Sequence, residues 1–206
     1  MPISSIIRHE VRNHFFLEES IKRVAVISPR GLFREHWFTA ELAYIFSEME
    51  KKGIIKWEPE YPVNPGLRNS SRIDFRLRLL EENVVKETIA VEVKAMPILN
   101  KDGSPYPITR LDWAKQNCAP DTLKMLKVSA NSHYLLIFAY PAPPEDHWKV
   151  LVKNIEGLCQ VRTITLSGVS DDSRGGKLSI RWLEIQASTQ VLVVGDSSVT
   201  SSPIPV

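Results

Sequence analysis

The sequence has little cysteine and no long apolar segment. Only two cysteines, Cys118 and Cys159, occur in 206 residues, and they form neither a disulfide pattern nor a metal-binding spacing. We interpret both as reduced, buried small hydrophobes. The start of the chain lacks the basic region and apolar core of a secretory signal, and no apolar run approaches the ~20 residues needed to cross a bilayer. These absences predict a cytoplasmic protein that does not enter a membrane.

Several catalytic signatures are also missing. The five histidines include no H-x-x-x-H pair and the glycines include no phosphate-cradling run. No G-x-S-x-G sequence presents a nucleophilic serine, so acyl hydrolysis has no support. The formal net charge is only +2, which excludes a global polycation. Any binding of nucleic acid must therefore depend on a local basic surface.

What the sequence does contain is two neighbouring segments that alternate apolar and polar residues, the period of half-buried strands. In the first, every second residue from Ile73 to Leu79 is apolar, and Asp74 stands at the start of the polar row. In the second, residues 88–95, Glu92 and Lys94 share the polar face at a spacing of roughly 7 Å. We therefore predict two strands whose ionisable residues lie on one face.

The linker between these segments, residues 81–87, carries the polar and charged side chains of a hairpin loop. If the two strands pair, Asp74 lies beside Glu92 and Lys94. Two carboxylates and one ammonium then converge at the end of a sheet, which is typical of a metal site. The alternative interpretation is a surface ion pair on a sheet face, worth less than ~1 kcal/mol.

Asp74, followed after a hairpin-length gap by Glu92-Val93-Lys94, resembles the PD-(D/E)XK signature of restriction-endonuclease-like nucleases. The resemblance covers roughly residues 33–140. Ile73 replaces the proline that often precedes the family's aspartate, a proline that is commonly missing in the superfamily. The resemblance implies an α/β fold with an αβββαβ core, in which helices flank a mixed central sheet.

For this chain the resemblance implies a Mg²⁺-dependent deoxyribonuclease, most simply an endonuclease, in which Mn²⁺ could substitute for Mg²⁺. Asp74 and Glu92 would be direct metal ligands, and the main-chain carbonyl of Val93 would be a third. Lys94 would orient the attacking water and stabilise charge on the phosphate. Cutting both strands with one site per chain would favour a homodimer.

Further candidates lie on the elements around the motif. The helix before the catalytic sheet often carries one more acid in this family. Glu41, which has apolar neighbours on both sides in the sequence, is the catalytic candidate and Glu35 the reserve; a solvated helical glutamate is the alternative for Glu41. Arg68 and Arg72 lie near the loop before the first strand, where a nucleic-acid phosphate could be met. Lys124, on the helical segment after the motif, either faces the site, where it would bind nucleic acid, or is a solvated helix residue.

The chain length fits a single domain, which we place at 1–194, and the resemblance implies its core at about 33–140. The predicted elements are helices at about 4–23 and 32–52, strands at 54–61, 72–79 and 88–95, a helical segment at 110–129 that restarts at 119–121, and a strand at 134–140. An extra N-terminal helix and C-terminal strands therefore flank the core. A helix at 148–158 and strands at 161–166, 178–185 and 190–194 follow, and a disordered tail at 195–206 ends the chain.

Three functional interpretations stay open at this point. The first is the metal-dependent nuclease acting on DNA. The second is a catalytically inactive nucleic-acid-binding or assembly module with the same fold. The third is an α/β protein in which Glu92-Val93-Lys94 is accidental, and it predicts that Asp74 and Glu92 lie far apart.

Overall fold

The computed structural model describes residues 4–27, 35–68, 70–97, 108–166 and 178–187. Over these residues the protein is a mixed α/β structure, as expected. Its elements, in chain order, are α1 (Ser4–Phe15), α2 (Glu18–Ile27), α3 (Glu35–Lys51), β1 (Ile55–Pro62), β2 (Arg72–Glu81), β3 (Val84–Pro97), α4 (Leu111–Asn117), α5 (Ala119–Met125), β4 (Ser132–Tyr140), α6 (Glu145–Cys159), β5 (Val161–Thr165) and β6 (Ser179–Ala187).

One six-stranded mixed sheet organises these elements, in the order β1-β2-β3-β4-β6-β5. β3 and β4 run parallel, and the other neighbouring strands pair antiparallel. The parallel pair requires a crossover, which α4 and α5 provide. The order predicted for the core, a helix, three strands, a helical segment and a strand, is confirmed.

Helices cover the sheet on both faces. On one face, α1, α2 and α3 pack on the sheet through an aromatic cluster in which the rings of Phe38 and Phe138 stack 4.2 Å apart. On the other face, α4, α5 and α6 pack through a second cluster that includes Met125, Trp148 and Leu151. β4 contributes to both clusters, as its near-continuous apolar run predicts. The C-terminal strand pair β5–β6 is also confirmed.

Two boundaries differ from the sequence-based prediction. The single N-terminal helix is two helices, α1 and α2, interrupted at Phe16 and Leu17, and residues 24–27 belong to the second of them. Pro59 predicts an interruption in the strand at 54–61, but β1 continues through this proline, which pairs with Phe75. Because β1 is an edge strand, a proline there can lie where no ladder hydrogen bond is needed.

The hairpin between β2 and β3 is tighter than the loop predicted at 81–87. Only Glu82 and Asn83 separate the strands, with φ angles of 51° and 65°. Positive φ at both central residues is the requirement of a type I′ turn, which matches the right-handed twist of the flanking strands. This turn, together with a register shift between Leu79 and Leu80, sets the register of β2 against β3.

Some predicted features lie outside the described residues. They are the strand at 190–194 and the tail at 195–206. Among the described helices, none combines the length and apolar character that crossing a membrane demands.

The turn generates a prediction about stability. Glu82 holds a left-handed conformation that costs a residue with a β-carbon roughly 1–2 kcal/mol. The double substitution Glu82→Asn/Asn83→Gly supplies the residues that a type I′ turn prefers, so we expect the free energy of unfolding to rise by about 1 kcal/mol. Urea denaturation measures the change. Glu82→Gln removes the charge but keeps the backbone strain, and it should give no such gain.

Candidate functional site

The candidate site lies where β2 and β3 stop pairing. Their antiparallel ladder ends at Phe75 and Val91. Beyond that pair, carboxylates replace the missing ladder partners: the main-chain N–H of Asp74 donates to Oε2 of Glu92 over 3.3 Å, and the N–H of Val93 donates to Oδ2 of Asp74 over 2.7 Å. The two acids of the motif are therefore adjacent, so the interpretation that predicted them far apart is wrong on this point.

Burial makes both carboxylates difficult to ionise. Only 3% of Glu92 is exposed. Burial, reinforced by the negative charge of Asp74, raises the pKa of Glu92 to about 8, although Lys124 opposes the shift. Burial likewise raises the pKa of Asp74 to about 6 against the hydrogen bond from Val93. Both carboxyl groups therefore lose their protons at a higher pH than exposed acids do.

Lys94 lies at the same end of β3 but pairs with two other acids. Its Nζ contacts Oε2 of Glu35 at 3.0 Å and Oδ2 of Asp121 at 2.7 Å. Burial opposes the charge on Lys94, yet the hydrogen bonds and attraction from Asp121 and Glu35 outweigh burial and raise the pKa of this amine. Lys94 is therefore an ammonium at neutral pH, and it can donate hydrogen bonds but cannot accept a proton.

Lys124 faces the acids of the site, and its role in binding nucleic acid stays a prediction. Its Nζ contacts Oε1 of Glu92 at 2.7 Å and Oδ1 of Asp121 at 2.8 Å. Asp121 thus joins both lysines. Burial of Asp121 would raise the pKa of its carboxyl, but the hydrogen bonds from Lys124 and Lys94 prevail and lower it.

We call Glu35, Asp74, Glu92, Lys94, Asp121 and Lys124 the charge cluster. With all six side chains ionised, four carboxylates face two ammonium groups, which leaves a formal charge of −2. Asp74 and Glu92 are the members of the cluster whose pKa values are raised, mainly by burial, so their ionisation costs the most. A divalent cation at that position would balance the charge.

Few oxygen atoms are available at the site to bind a metal ion. Within the described parts of the chain, no group of three or more His, Cys, Asp or Glu side chains is arranged to hold a metal ion. Asp74 and Glu92 supply carboxylate oxygens, and the main chain of Val93 faces them because its N–H donates to Asp74. The N–H and C=O of one strand residue point to the same edge, so the carbonyl of Val93 points toward this gap as well. Two carboxylates and a carbonyl suit Mg²⁺, which keeps several of its waters.

Glu41 lies in different surroundings. Its carboxylate contacts Nε2 of His14 at 2.6 Å and Nη1 of Arg23 at 3.6 Å. It follows Glu35 by six residues on α3, a rotation of roughly 120° about the helix axis from the direction in which Glu35 points. The structure therefore brings the reserve candidate Glu35, and not Glu41, into contact with Lys94.

The two arginines predicted to meet nucleic acid are exposed near the start of β2. Arg68 lies in the loop before β2 and Arg72 at the first position of the strand. A guanidinium nitrogen of Arg72 donates to the main-chain oxygen of Glu60 over 3.2 Å, which orients this side chain across the edge strand. Their role in binding nucleic acid stays a prediction.

Asp121 is the member of the charge cluster that no pattern in the sequence identifies as a site residue. The available signal was local: Asp121 follows Pro120 in the first turn of α5, and Lys124 lies three residues later on the same helical face. An acid and a base at that spacing form a pair on any helix. Only the packing of α5 beside β3 turns the pair toward Glu92 and Lys94.

Comparison of the chain with protein-family models, with curated proteins and with solved structures found no match. The resemblance to the PD-(D/E)XK nucleases therefore depends on the residues and geometry of this chain alone.

The raised pKa values generate a prediction about pH. From about pH 4 to about pH 8, Asp74 and Glu92 keep protons in the folded protein that they lose in the unfolded chain. The free energy of unfolding therefore falls as the pH rises through this range. We therefore expect Asp74→Asn/Glu92→Gln to gain stability relative to the natural chain as pH increases. Urea unfolding in EDTA at about pH 5 and about pH 9 measures the difference.

The control for this experiment is Glu50→Gln, an exposed acid on α3. Its stability should follow that of the natural chain at both pH values. A double variant that also runs parallel to the natural chain would contradict the assigned pKa shifts.

Proposed function

We propose that this protein is a metal-dependent nuclease that hydrolyses DNA phosphodiester bonds, acting as an endonuclease on a core of the PD-(D/E)XK type. The observation that carries the proposal is the adjacency of Asp74 and Glu92 where β2 and β3 diverge. The order of elements from α3 to β4 supports it independently of the motif.

The residues have complementary roles in this proposal. Asp74, Glu92 and the carbonyl of Val93 would hold Mg²⁺, or Mn²⁺ in its place. A bound divalent cation lowers the pKa of a coordinated water and polarises a phosphoryl oxygen. The carboxylates themselves must be ionised to bind it, and the cation would favour that ionisation by offsetting their mutual repulsion.

The two lysines are arranged to serve the phosphate. An ammonium group has three N–H donors. Lys94 directs donors at Glu35 and Asp121, and Lys124 directs donors at Glu92 and Asp121. Each therefore retains one donor for a water or for a phosphate oxygen. Because the surrounding carboxylates hold Lys94 in place, its donor would be oriented before substrate arrives, which is the condition for effective stabilisation of developing charge.

One observation favours the second candidate function, a nucleic-acid-binding or assembly module without turnover. The Nζ of Lys124 lies within 2.7 Å of Oε1 of Glu92, an oxygen that a metal ligand would need free. Every acid of the charge cluster already contacts a hydrogen-bond donor, which is what a purely structural network requires. Metal binding and DNA cleavage distinguish the two functions.

We expect purified protein to nick or linearise plasmid DNA with Mg²⁺ or Mn²⁺ and not in EDTA. Asp74→Asn and Glu92→Gln remove the proposed ligands, and Lys94→Gln removes the proposed charge stabilisation. Each should lower the cleavage rate by about 10²-fold or more. Gel electrophoresis of timed samples measures the rate.

Glu48→Gln, a change to a surface carboxylate on α3 that pairs with Lys51, is the control for the cleavage experiment. It should cleave like the natural chain. Activity that persists unchanged in Asp74→Asn would indicate a contaminant and would overturn the nuclease assignment. DNA binding in the absence of any cleavage would favour the second function.

The position of Glu35 gives a separate prediction about α3. Because Glu35 contacts Lys94 and Glu41 contacts His14 and Arg23, we expect Glu35→Gln to lower the cleavage rate more than Glu41→Gln does. Both substitutions neutralise one glutamate on the same helix, so each is the matched control for the other. A larger loss in Glu41→Gln would restore Glu41 as the acid that α3 contributes.

A further inference from the structure

Beyond the charge cluster, the polar face of β2 carries two arginines. Arg76 and Arg78 alternate with the buried row of the strand, and their side chains are 23% and 33% exposed. In the neighbouring edge strand, Glu58 pairs with Arg76 and Lys56 pairs with Arg78. Directly opposed residues on paired strands share a face, so these four side chains form one surface.

This surface has an excess of positive charge. Glu58 accepts from Arg76 over 3.3 Å and from Arg78 over 3.1 Å, so one carboxylate serves two guanidinium groups. Lys56 is exposed beside them. Three cations and one anion leave a formal charge of +2 on the surface, on a chain whose total is also +2.

The arginines are held in place before any ligand binds. The guanidinium of Arg76 lies over the ring of Tyr61, 4.6 Å from its centroid, and its Nη1 donates a hydrogen bond to Glu58. The Nε atoms of Arg76 and Arg78 are buried, and neither has a hydrogen-bond partner among the described residues. Restricted guanidinium groups lose less conformational entropy when they bind a planar or tetrahedral oxyanion.

The position of the surface relates it to the candidate site. Arg76 is two residues from Asp74 along β2, a distance of about 7 Å, and Arg78 is about 14 Å away. A strand therefore connects the motif acid to successive cations at regular intervals. Helix α5 places Asp121 and Lys124 at the charge cluster, whereas Arg76 and Arg78 keep exposed surface farther along the strand.

We propose that Lys56, Arg76 and Arg78, which we call the arginine track, bind the phosphate backbone of DNA and direct it toward Asp74 and Glu92. The proposal rests on the proposed function for the identity of the ligand and for the reaction at the end of the track. Guanidinium groups bind phosphate oxygens in bidentate fashion. Because the track offers cations for the backbone, it would position DNA without selecting a base sequence.

Glu58 has a defined part in this proposal. It shares its two carboxylate oxygens between Arg76 and Arg78, so an incoming phosphate competes with it for the same donors. Glu58 would thus weaken DNA binding while it orients the arginines. Neutralising Glu58 and neutralising the arginines should consequently change the affinity in opposite directions.

The test measures binding of a fluorescent DNA duplex by anisotropy in EDTA, over a series of salt concentrations. We expect Arg76→Gln/Arg78→Gln to weaken binding by about 10-fold or more and to reduce the slope of log K against log salt by about 1.8, the value for two lost phosphate contacts. Glu58→Gln should tighten binding. Arg76→Lys/Arg78→Lys should recover most of the salt slope, since it restores the charges.

The matched control is Lys149→Gln/Lys153→Gln, which removes two exposed positive charges from α6. It should bind DNA as the natural chain does. If both double variants lose the same amount of DNA affinity, the effect depends only on net charge, and the proposal for the arginine track is wrong. Unchanged binding in Arg76→Gln/Arg78→Gln and in Glu58→Gln, or a natural chain that binds no DNA, would overturn it as well.

The design separates this proposal from the nuclease assignment. Binding is measured without divalent cations, and it is repeated in Asp74→Asn, which should bind through the track whether or not the natural chain cleaves. Track-dependent binding with no cleavage would support the track and remove the nuclease function. Cleavage that the track substitutions do not change would support the nuclease function and overturn the track.

Discussion

The end of the ladder between β2 and β3 is the constraint on which the candidate site depends. Where the strands diverge, buried main-chain N–H groups lose their ladder partners, and leaving such donors unsatisfied is costly. The carboxylates of Asp74 and Glu92 satisfy two of them. These hydrogen bonds fix the acids in place by the same contacts that complete the sheet, so their position is part of the fold.

The same arrangement leaves the acids electrostatically strained. Burial raises the pKa values of both carboxyl groups, reinforced by the charge of Asp74 at Glu92 and by that of Glu35 at Asp74. Lys94 and Lys124 are held as ammonium groups between neighbouring acids. A purely structural network gains nothing from buried carboxyl groups that are costly to ionise. Clusters of this kind occur where proteins bind cations or carry out acid–base chemistry, because a ligand relieves that cost.

β2 connects this cluster to the rest of the sheet surface. Its apolar row anchors the strand against α3 through Phe75 and Phe46, whose rings meet edge-on at 5.1 Å. Its polar row then presents Asp74, Arg76 and Arg78 at the two-residue period of a strand. One strand therefore supplies an acid and two guanidinium groups at fixed separations, with no loop required to set them.

Much of the motif could be predicted because a strand is a local structure. The period-two alternation alone assigns Asp74 to the polar row of β2, and Glu92 and Lys94 to one face of β3. The short connection between the segments makes antiparallel pairing the simplest arrangement. The element order was predictable for the same reason, since periodicity and breakers are properties of short windows. The interruption between α1 and α2 was missed because apolar spacing continues through it.

Local periodicity could not predict which side chains contact Asp74, Glu92 and Lys94. Choosing Glu41 over Glu35 depended on apolar neighbours in the sequence, but the face that a glutamate presents depends on how the whole helix is rotated against the sheet. Asp121 and Lys124 reach the site only because α5 packs beside β3. Thus the sequence by itself determined the strands, their pairing and the acids at their ends, since these follow from local periodicity. The tertiary structure alone decided which distant charges surround those acids, because contacts between remote segments depend on how helices dock on the completed sheet.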